Sequence, residues 1–415
     1  MCAEKHLGGK EGYWASYQQE LNRVAETEEE ACFRLGREWS DSEKKTKKIR
    51  CPRCRRWVAV NVHLIPRTVT TRMGEVVYRR HYYYCHKCSF GWYPRDKELG
   101  FESEDMTGDV IALVMDFVVS DPFELSASRL RLHHQIERSA TGLKLLFERQ
   151  SAPLADAEKP IPIVRLPLTE ANGHQPVVIM NDGSMIRQTT GWHEIKLMSI
   201  GVLGETRRVF LAETRDKERF ERLLFESIGF AELRSREVLW LADGAPYNWG
   251  LQERLCPHAE GLVDFMHVRE HIYSCAIEVF GEEDCCAALF IESASRQLLD
   301  SRADAVIAQL KECYLMTPRK QRGKRQAAAL LDLWQYLEAN QSRLNYRKFI
   351  EAGWPIGSGA IESAHRWVIQ RRMKQAGMMW SAANAQRMAT LRALYASVGP
   401  EKFYGFLKKS QEMAA

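Results

Sequence analysis

The chain has 415 residues, 45% of them hydrophobic and 27% charged, with a formal net charge of +5. Such a composition suits a soluble globular protein of two or three structural units, and no apolar run reaches the roughly 18–20 residues of a membrane span. No apolar stretch follows Met1-Cys2-Ala3-Glu4-Lys5-His6 to make a secretory signal, so the expected location is the cytoplasm. Eleven cysteines, an odd number, do not describe a disulfide framework, and metal ligation is their better reading.

Residues 1–45 are polar and rather acidic, as in Glu26-Thr27-Glu28-Glu29-Glu30, and fit a helical arm. Residues 46–100 hold two C-x2-C pairs, Cys51-Pro52-Arg53-Cys54 and Cys85-His86-Lys87-Cys88. Four thiolates from two such turns suit a closed tetrahedral site for one structural zinc ion. The alternation Trp57-Val58-Ala59-Val60-Asn61-Val62 predicts short strands between the pairs, so that a hairpin returns the chain to the metal as a zinc ribbon. A thioredoxin-like redox pair would need a βαβ context that this segment lacks. Arg53, Arg55 and Arg56, with Trp57, Tyr82, Tyr83 and Tyr84, give the ribbon either a basic, aromatic surface for nucleic acid or simply its own small core.

Residues 101–157 turn helical, with Val110, Leu113, Val114 and Phe117 on one stripe, and form a DNA-binding or connecting region. Pro160 and Pro162 then mark a boundary near 158. From 158 to 282 the predicted order is βββαβαβ. Its strands are Pro176 to Met180, Ile195 to Val202, Arg208 to Leu211, Val238 to Leu241 and Gly261 to Phe265. Residues 283–352 read as a helical insertion, with Leu330, Leu333, Trp334 and Leu337 at helical spacing. Residues 353–415 begin with a glycine-rich turn into a helix expected to run to Gly377, and Ser381 is expected to cap a last helix ending near Gly399-Pro400.

Two carboxylates stand at predicted strand ends, Asp182 in Asn181-Asp182-Gly183-Ser184 and Asp243 in Ala242-Asp243-Gly244. Asp-Gly after a strand is ordinary turn chemistry. Two of them at matching topological positions of a parallel pair would also converge at one sheet edge and could share a hard cation such as Mg²⁺. Glu362, in the first turn of the helix after Gly357-Ser358-Gly359, either faces the helix dipole or supplies a third ligand. Arg366, Arg371, Arg372 and Lys374 crowd the same helix and suit a DNA backbone. Other basic runs, at Lys44 to Arg50 and Pro318 to Arg325, are each equally well explained as solvated surface.

Over about residues 176 to 395 the chain resembles bacterial insertion-sequence transposases of the ISKra type, related to the Mutator-like DDE group. The resemblance rests on Asn181-Asp182-Gly183-Ser184, on Trp240-Leu241-Ala242-Asp243-Gly244-Ala245-Pro246, on Asp264-Phe265-Met266-His267 and on Gly353 to Glu362, with Arg371 to Ser381 behind them. It implies an α/β fold with an RNase H-like catalytic core and a helical insertion. Asp182, Asp243 and Glu362 are then the catalytic triad, holding two Mg (or Mn) ions. Asp264 and His267 are accessory residues, double-stranded DNA (transposon ends and target) is the partner, and a homodimer or higher assembly acts on DNA. Two rivals stand beside this reading. One is a catalytically inactive DNA-binding derivative; the other takes His267-Val268-Arg269-Glu270-His271 as the H-x-x-E-H motif of a zinc peptidase, which leaves both Asp-Gly turns unused.

Overall fold

A computed structural model describes residues 28–42, 48–101, 104–155, 166, 173–227, 233–318, 320, 322–357 and 359–414. Most of the expected amino-terminal arm, the lysines at 44, 45 and 47, both boundary prolines, Arg319 and Ser358 lie outside the described residues. The fold is mixed α/β, and the chain divides into two compact units, Met1–Lys144 and Leu145–Ala415. No helix among the described residues is long and apolar enough to cross a membrane.

In the first unit, strands β1 (Ile49–Arg50) and β2 (Trp57–Val58) pair around the first cysteine turn. Strands β3 (Val60–Thr71) and β4 (Gly74–Cys85) form a long antiparallel hairpin that carries the chain back to the second cysteine turn, and β5 (Phe90–Trp92) adds to its edge. The strands predicted between the cysteine pairs are therefore present. At the far end of the hairpin Val69, Tyr78 and Phe101 form a small core. Buried Asp96, in helix α1 (Pro94–Leu99), accepts from the Tyr78 hydroxyl at 2.6 Å and pairs with Arg67 and Arg80. Burying that carboxylate is tolerable only because two guanidinium groups and a hydroxyl replace its water. Helices α2 (Gly108–Ser120) and α3 (Phe123–His134) follow, then α4 (Ala140–Ala155), within which the division between units falls.

The second unit is built on a five-stranded sheet in the order β10-β9-β6-β7-β8. Strands β6 (Val177–Gln188), β7 (Gly191–Val202) and β8 (Arg208–Glu213) make an antiparallel meander, and after α5 (Lys217–Ser227), strand β9 (Val238–Ala242) pairs parallel with β6. Helix α6 (Pro246–Leu255) leads to β10 (Glu260–Val263), parallel to β9. All five residues of β9 are buried, the continuous apolar run expected of a strand covered on both faces. Burying each large side chain there contributes about 1.5–3 kcal/mol. Helices α7 (Phe265–Phe280), α8 (Cys285–Leu299), α9 (Ala303–Met316), α10 (Arg322–Ala339) and α11 (Tyr346–Glu351) follow without a strand.

Two boundaries differ from expectation. Helix α12 (Gly359–Ala364) passes into a π-helical turn, His365–Gln370, and the helical run stops at Met373 rather than at Gly377, which takes a left-handed turn (φ 76°) instead. Helix α13 (Ala382–Val398) begins as predicted, with the Ser381 hydroxyl accepting from the Asn384 N–H. Beyond Gly399 a further helix, α14 (Pro400–Ala414), continues the chain.

Candidate functional site

Asp182 does not end its strand. Strand β6 continues to Gln188 as a two-stranded ribbon with β7, while its parallel pairing with β9 stops at Met180. Burial records the same transition, since residues 177–181 are all buried and alternation with solvent begins at Asp182. The carboxylate thus stands where the doubly covered sheet opens, two residues beyond the last contact with β9.

Asp243 follows β9 directly, in the turn to α6. Its Oδ1 accepts from the Ala245 N–H at 3.0 Å and from the Asn248 side-chain amide at 2.6 Å; Asn248 in turn accepts from Asn181. The Tyr336 hydroxyl of α10 donates to the Asp243 carbonyl at 3.0 Å. Gly244 has φ 88°, and a Cβ there would lie 2.9 Å from that hydroxyl, so both its dihedral and its space require glycine. Trp249 donates to the Gly244 carbonyl and to Asn340. The Asp243 turn is therefore clamped by helix α10 of the region expected to be an insertion.

Asp182 and Asp243 line one cavity of about 380 Å³, together with Asn181, Ser184, Lys196 and Tyr247. Burial pushes the Asp182 carboxyl above its usual range, and the negative charge of Asp243 adds to this; His365, the Gly183 N–H and His267 act the other way. Two carboxylates in a half-buried cavity are a donor set suited to a divalent cation, which would relieve both burial and mutual repulsion.

The third expected ligand does not complete a gathered group with these two among the described residues. Glu362 is exposed on α12. Among the described residues, the only groups of three or more His, Cys, Asp or Glu side chains with ligand atoms within 4.8 Å of one another are the four cysteines and Asp284/Cys285/Cys286. The residue that reaches Asp182 from this segment is His365, one turn after Glu362, with Nε2 3.4 Å from Oδ2. Reading the sequence for carboxylates passed over it; its spacing of three from Glu362 on a helix was the available signal.

Asp264 is fully buried and caps α7, its Oδ1 accepting from the Met266 N–H at 2.8 Å, while Oδ2 lies buried without a hydrogen-bond partner among the described residues. His267 is partly exposed beside Glu270, with Nδ1 3.4 Å from the carboxylate. His271 stacks on Tyr336 with ring centroids 4.0 Å apart, and burial, then His267, hold its pKa low. His267 and His271 belong to neither cluster, so the peptidase reading finds no third ligand among the described residues.

The basic residues separate into two kinds. Arg366, Arg371 and Lys374 are exposed; Arg371 lies over the Trp367 ring, and Lys374 donates to Ser184 at 2.9 Å, at the cavity. Arg372 is 0% exposed, with its guanidinium 5.1 Å from the Trp380 ring centroid. It is a core residue, and the expectation that it contacts DNA is corrected accordingly. Neighbours diverge because successive side chains on a helix point about 100° apart, so one of two adjacent arginines can face the interior and the other solvent.

In the first unit Cys51 and Cys88 approach to 3.6 Å between sulfurs and Cys54 and Cys85 to 3.4 Å, and all four ligand atoms fall within 4.8 Å. The cluster could hold a zinc-like ion, and four thiols at this spacing fit tetrahedral ligation. Burial raises the Cys85 thiol, yet backbone N–H groups of Cys88 and Lys87 and the Cys54 thiol outweigh it and bring the group to about 7, whereas burial and the neighbouring thiols push Cys88 up to about 12, so the four thiols hold their protons as a set rather than one by one. Arg53, Arg55 and Arg56 are exposed on the first cysteine turn, and Arg53 lies 4.2 Å over Phe90. No protein-family model matches the chain, and no curated protein matches it.

Proposed function

We propose that the chain is a DNA transposase of the DDE type, acting by metal-dependent cleavage and strand transfer at transposon ends. The observation that carries this reading is the meeting of Asp182 and Asp243 at one cavity, from neighbouring parallel strands of a sheet ordered β10-β9-β6-β7-β8. A meander of three antiparallel strands extended by two parallel ones also supports an RNase H-like core, with α8 to α11 as its insertion.

Asp182, Asp243 and Glu362 would hold Mg²⁺ or Mn²⁺, which when bound lowers the cost of charge on the entering and leaving oxygens of a phosphodiester. The chain's own residues set the frame. Asn248 and the Ala245 N–H fix one oxygen of Asp243 and leave the other for ligation. Exposed Arg366, Arg371 and Lys374 supply cationic contacts for the DNA backbone near the cavity. Water attacks the scissile phosphodiester, breaking it to a 3′-hydroxyl and a 5′-phosphate; that hydroxyl then attacks a target phosphodiester, whose own 3′-oxygen leaves as the new phosphodiester forms. The Cys51/Cys54/Cys85/Cys88 cluster would be a structural zinc ribbon whose arginines contribute to binding the ends.

A second reading, a DNA binder without cleavage, draws on one observation: among the described residues, Asp182, Asp243 and Glu362 do not gather as a three-ligand group. An excision assay separates them, using a donor plasmid carrying the flanking ends with wild type and with Asp243→Asn. The transposase reading expects excision lost in the variant alone while DNA binding persists; equal excision by both proteins would overturn the assignment of Asp243.

A further inference from the structure

We propose that His365 is a positioning residue that orients the Asp182 carboxylate for a divalent cation, an inference that rests on the metal-site reading of Asp182 and Asp243. His365 is 4% exposed, and among the described residues neither ring nitrogen has a hydrogen-bond partner. Burying the polar atoms of an imidazole without well-formed hydrogen bonds is unfavourable, so a buried histidine here needs a reason that an apolar residue would not supply. The polar groups it faces belong to Asp182: Oδ2 lies 3.4 Å from Nε2, and the Asp182 main chain also interacts with the ring. That separation is longer than a hydrogen bond and shorter than a gap that would admit a water, and a small rotation of either side chain closes it.

The local backbone builds this contact. His365 opens the π-helical turn, the widened geometry often found at functional sites. Buried Arg392 of α13 donates to the carbonyls of Trp367 and Val368 within the turn. The turn is thus held from behind while its first residue points at Asp182 and Trp367, two residues on, is 57% exposed. On the other side, the Gly183 N–H donates to Oδ1 of Asp182 at 2.7 Å. With Oδ1 restrained by backbone and Oδ2 by the imidazole, the carboxylate loses its freedom to rotate out to solvent before a cation arrives. Partners of this kind, one shell out from a metal, typically alter its affinity 10–100-fold.

The test measures Mn²⁺ binding by electron paramagnetic resonance on the zinc-loaded full chain, with thermal melting of each protein recorded in parallel. Wild type, Asp182→Asn, His365→Ala and His365→Gln are compared, because the glutamine amide can reproduce the Nε2–H donor. The expected result is a Kd for Mn²⁺ raised about 10–100-fold by His365→Ala and restored to within about threefold by His365→Gln, with Asp182→Asn abolishing the site. A His365→Ala protein that melts lower but binds Mn²⁺ like wild type would reduce His365 to a packing role and overturn the proposal, while leaving the metal site intact. Absence of an Asp182-dependent Mn²⁺ signal in wild type would instead overturn the metal-site reading, and the proposal with it.

Discussion

Among the described residues, four thiols of the first unit stand within 4.8 Å of one another, whereas no three potential ligands at the sheet edge of the second unit do. The scaffolds differ in the opposite sense. The cysteine end of the first unit carries the two- and three-residue strands β1, β2 and β5, with Trp57 of β2 exposed, while Asp182 and Asp243 stand on a sheet whose strand β9 is buried throughout. A small module with little apolar surface uses ligation as part of its core, so its ligands must be gathered for it to fold. A sheet that folds on its own apolar contacts can keep its carboxylates apart until a cation and substrate bring them together.

Removing metal from the cysteine cluster is the harshest way to break that contrast. Chelation, or Cys54→Ser, is expected to abolish amide protection in β1, β2 and β5, since structural zinc contributes on the order of 10 kcal/mol in small modules. The far end of the β3–β4 hairpin, held by Asp96, Tyr78 and Phe101, and the whole sheet of the second unit should remain protected in hydrogen exchange. Loss of protection in β9 on chelation would show that the two regions do not differ as described.

Replacing Arg372 sharpens the contrast from the other side, because it tests whether the second unit is held by its own interior. Arg372→Ala should cost roughly 2–5 kcal/mol in urea unfolding, as emptying a large buried site does. Arg371→Ala, one residue away and exposed, should stay within about 0.5 kcal/mol while weakening DNA binding. Equal stability of the two variants would contradict the burial of Arg372.

A smaller effect concerns pH. In the unfolded chain a histidine takes its proton near 6.5, whereas buried His271 does so only at lower pH, so the unfolded state binds more protons in between. Stability from the neutral ring is therefore fully present above pH 6.5 and is lost as pH falls through the folded value. His271→Phe, which keeps a ring against Tyr336, should flatten the fall in the urea midpoint between pH 6.5 and 5; an unchanged slope would remove His271 from the account. Least in magnitude is thiol chemistry. Burial raises Cys256 to about 11 and Cys275 to about 12, so both should resist iodoacetamide in the native protein at pH 8, while exposed Cys285 and Cys313 react. Mass-spectrometric labelling reads this directly.

Strand order and cysteine pairing were legible because both rest on short-range signals, such as the apolar run Val238 to Leu241 and the C-x2-C spacing. Less legible was anything fixed by contacts between distant segments. Asp182 looked like a strand end because Gly183 follows it, yet pairing with β7 carries the strand six residues further. Arg372 is indistinguishable in sequence from Arg371, and only its packing against Trp380 in the fold shows it to be inside. His365 was hidden for the same reason, since its meaning lies in a contact with a residue 183 positions earlier. The Tyr336 clamp on Asp243 likewise joins two elements that no local pattern links.

Whether Asp182 and Asp243 form a cation-dependent phosphoryl-transfer site is decided by cleavage of end-containing duplex DNA with purified protein across a Mg²⁺ titration. Wild type and Asp243→Asn are compared after both are shown to fold and bind the duplex equally. The account predicts Mg²⁺-dependent strand cleavage by wild type and a loss of at least about 100-fold in Asp243→Asn, the scale on which removing a key electrostatic group acts. Cleavage by the variant at the wild-type rate would contradict it.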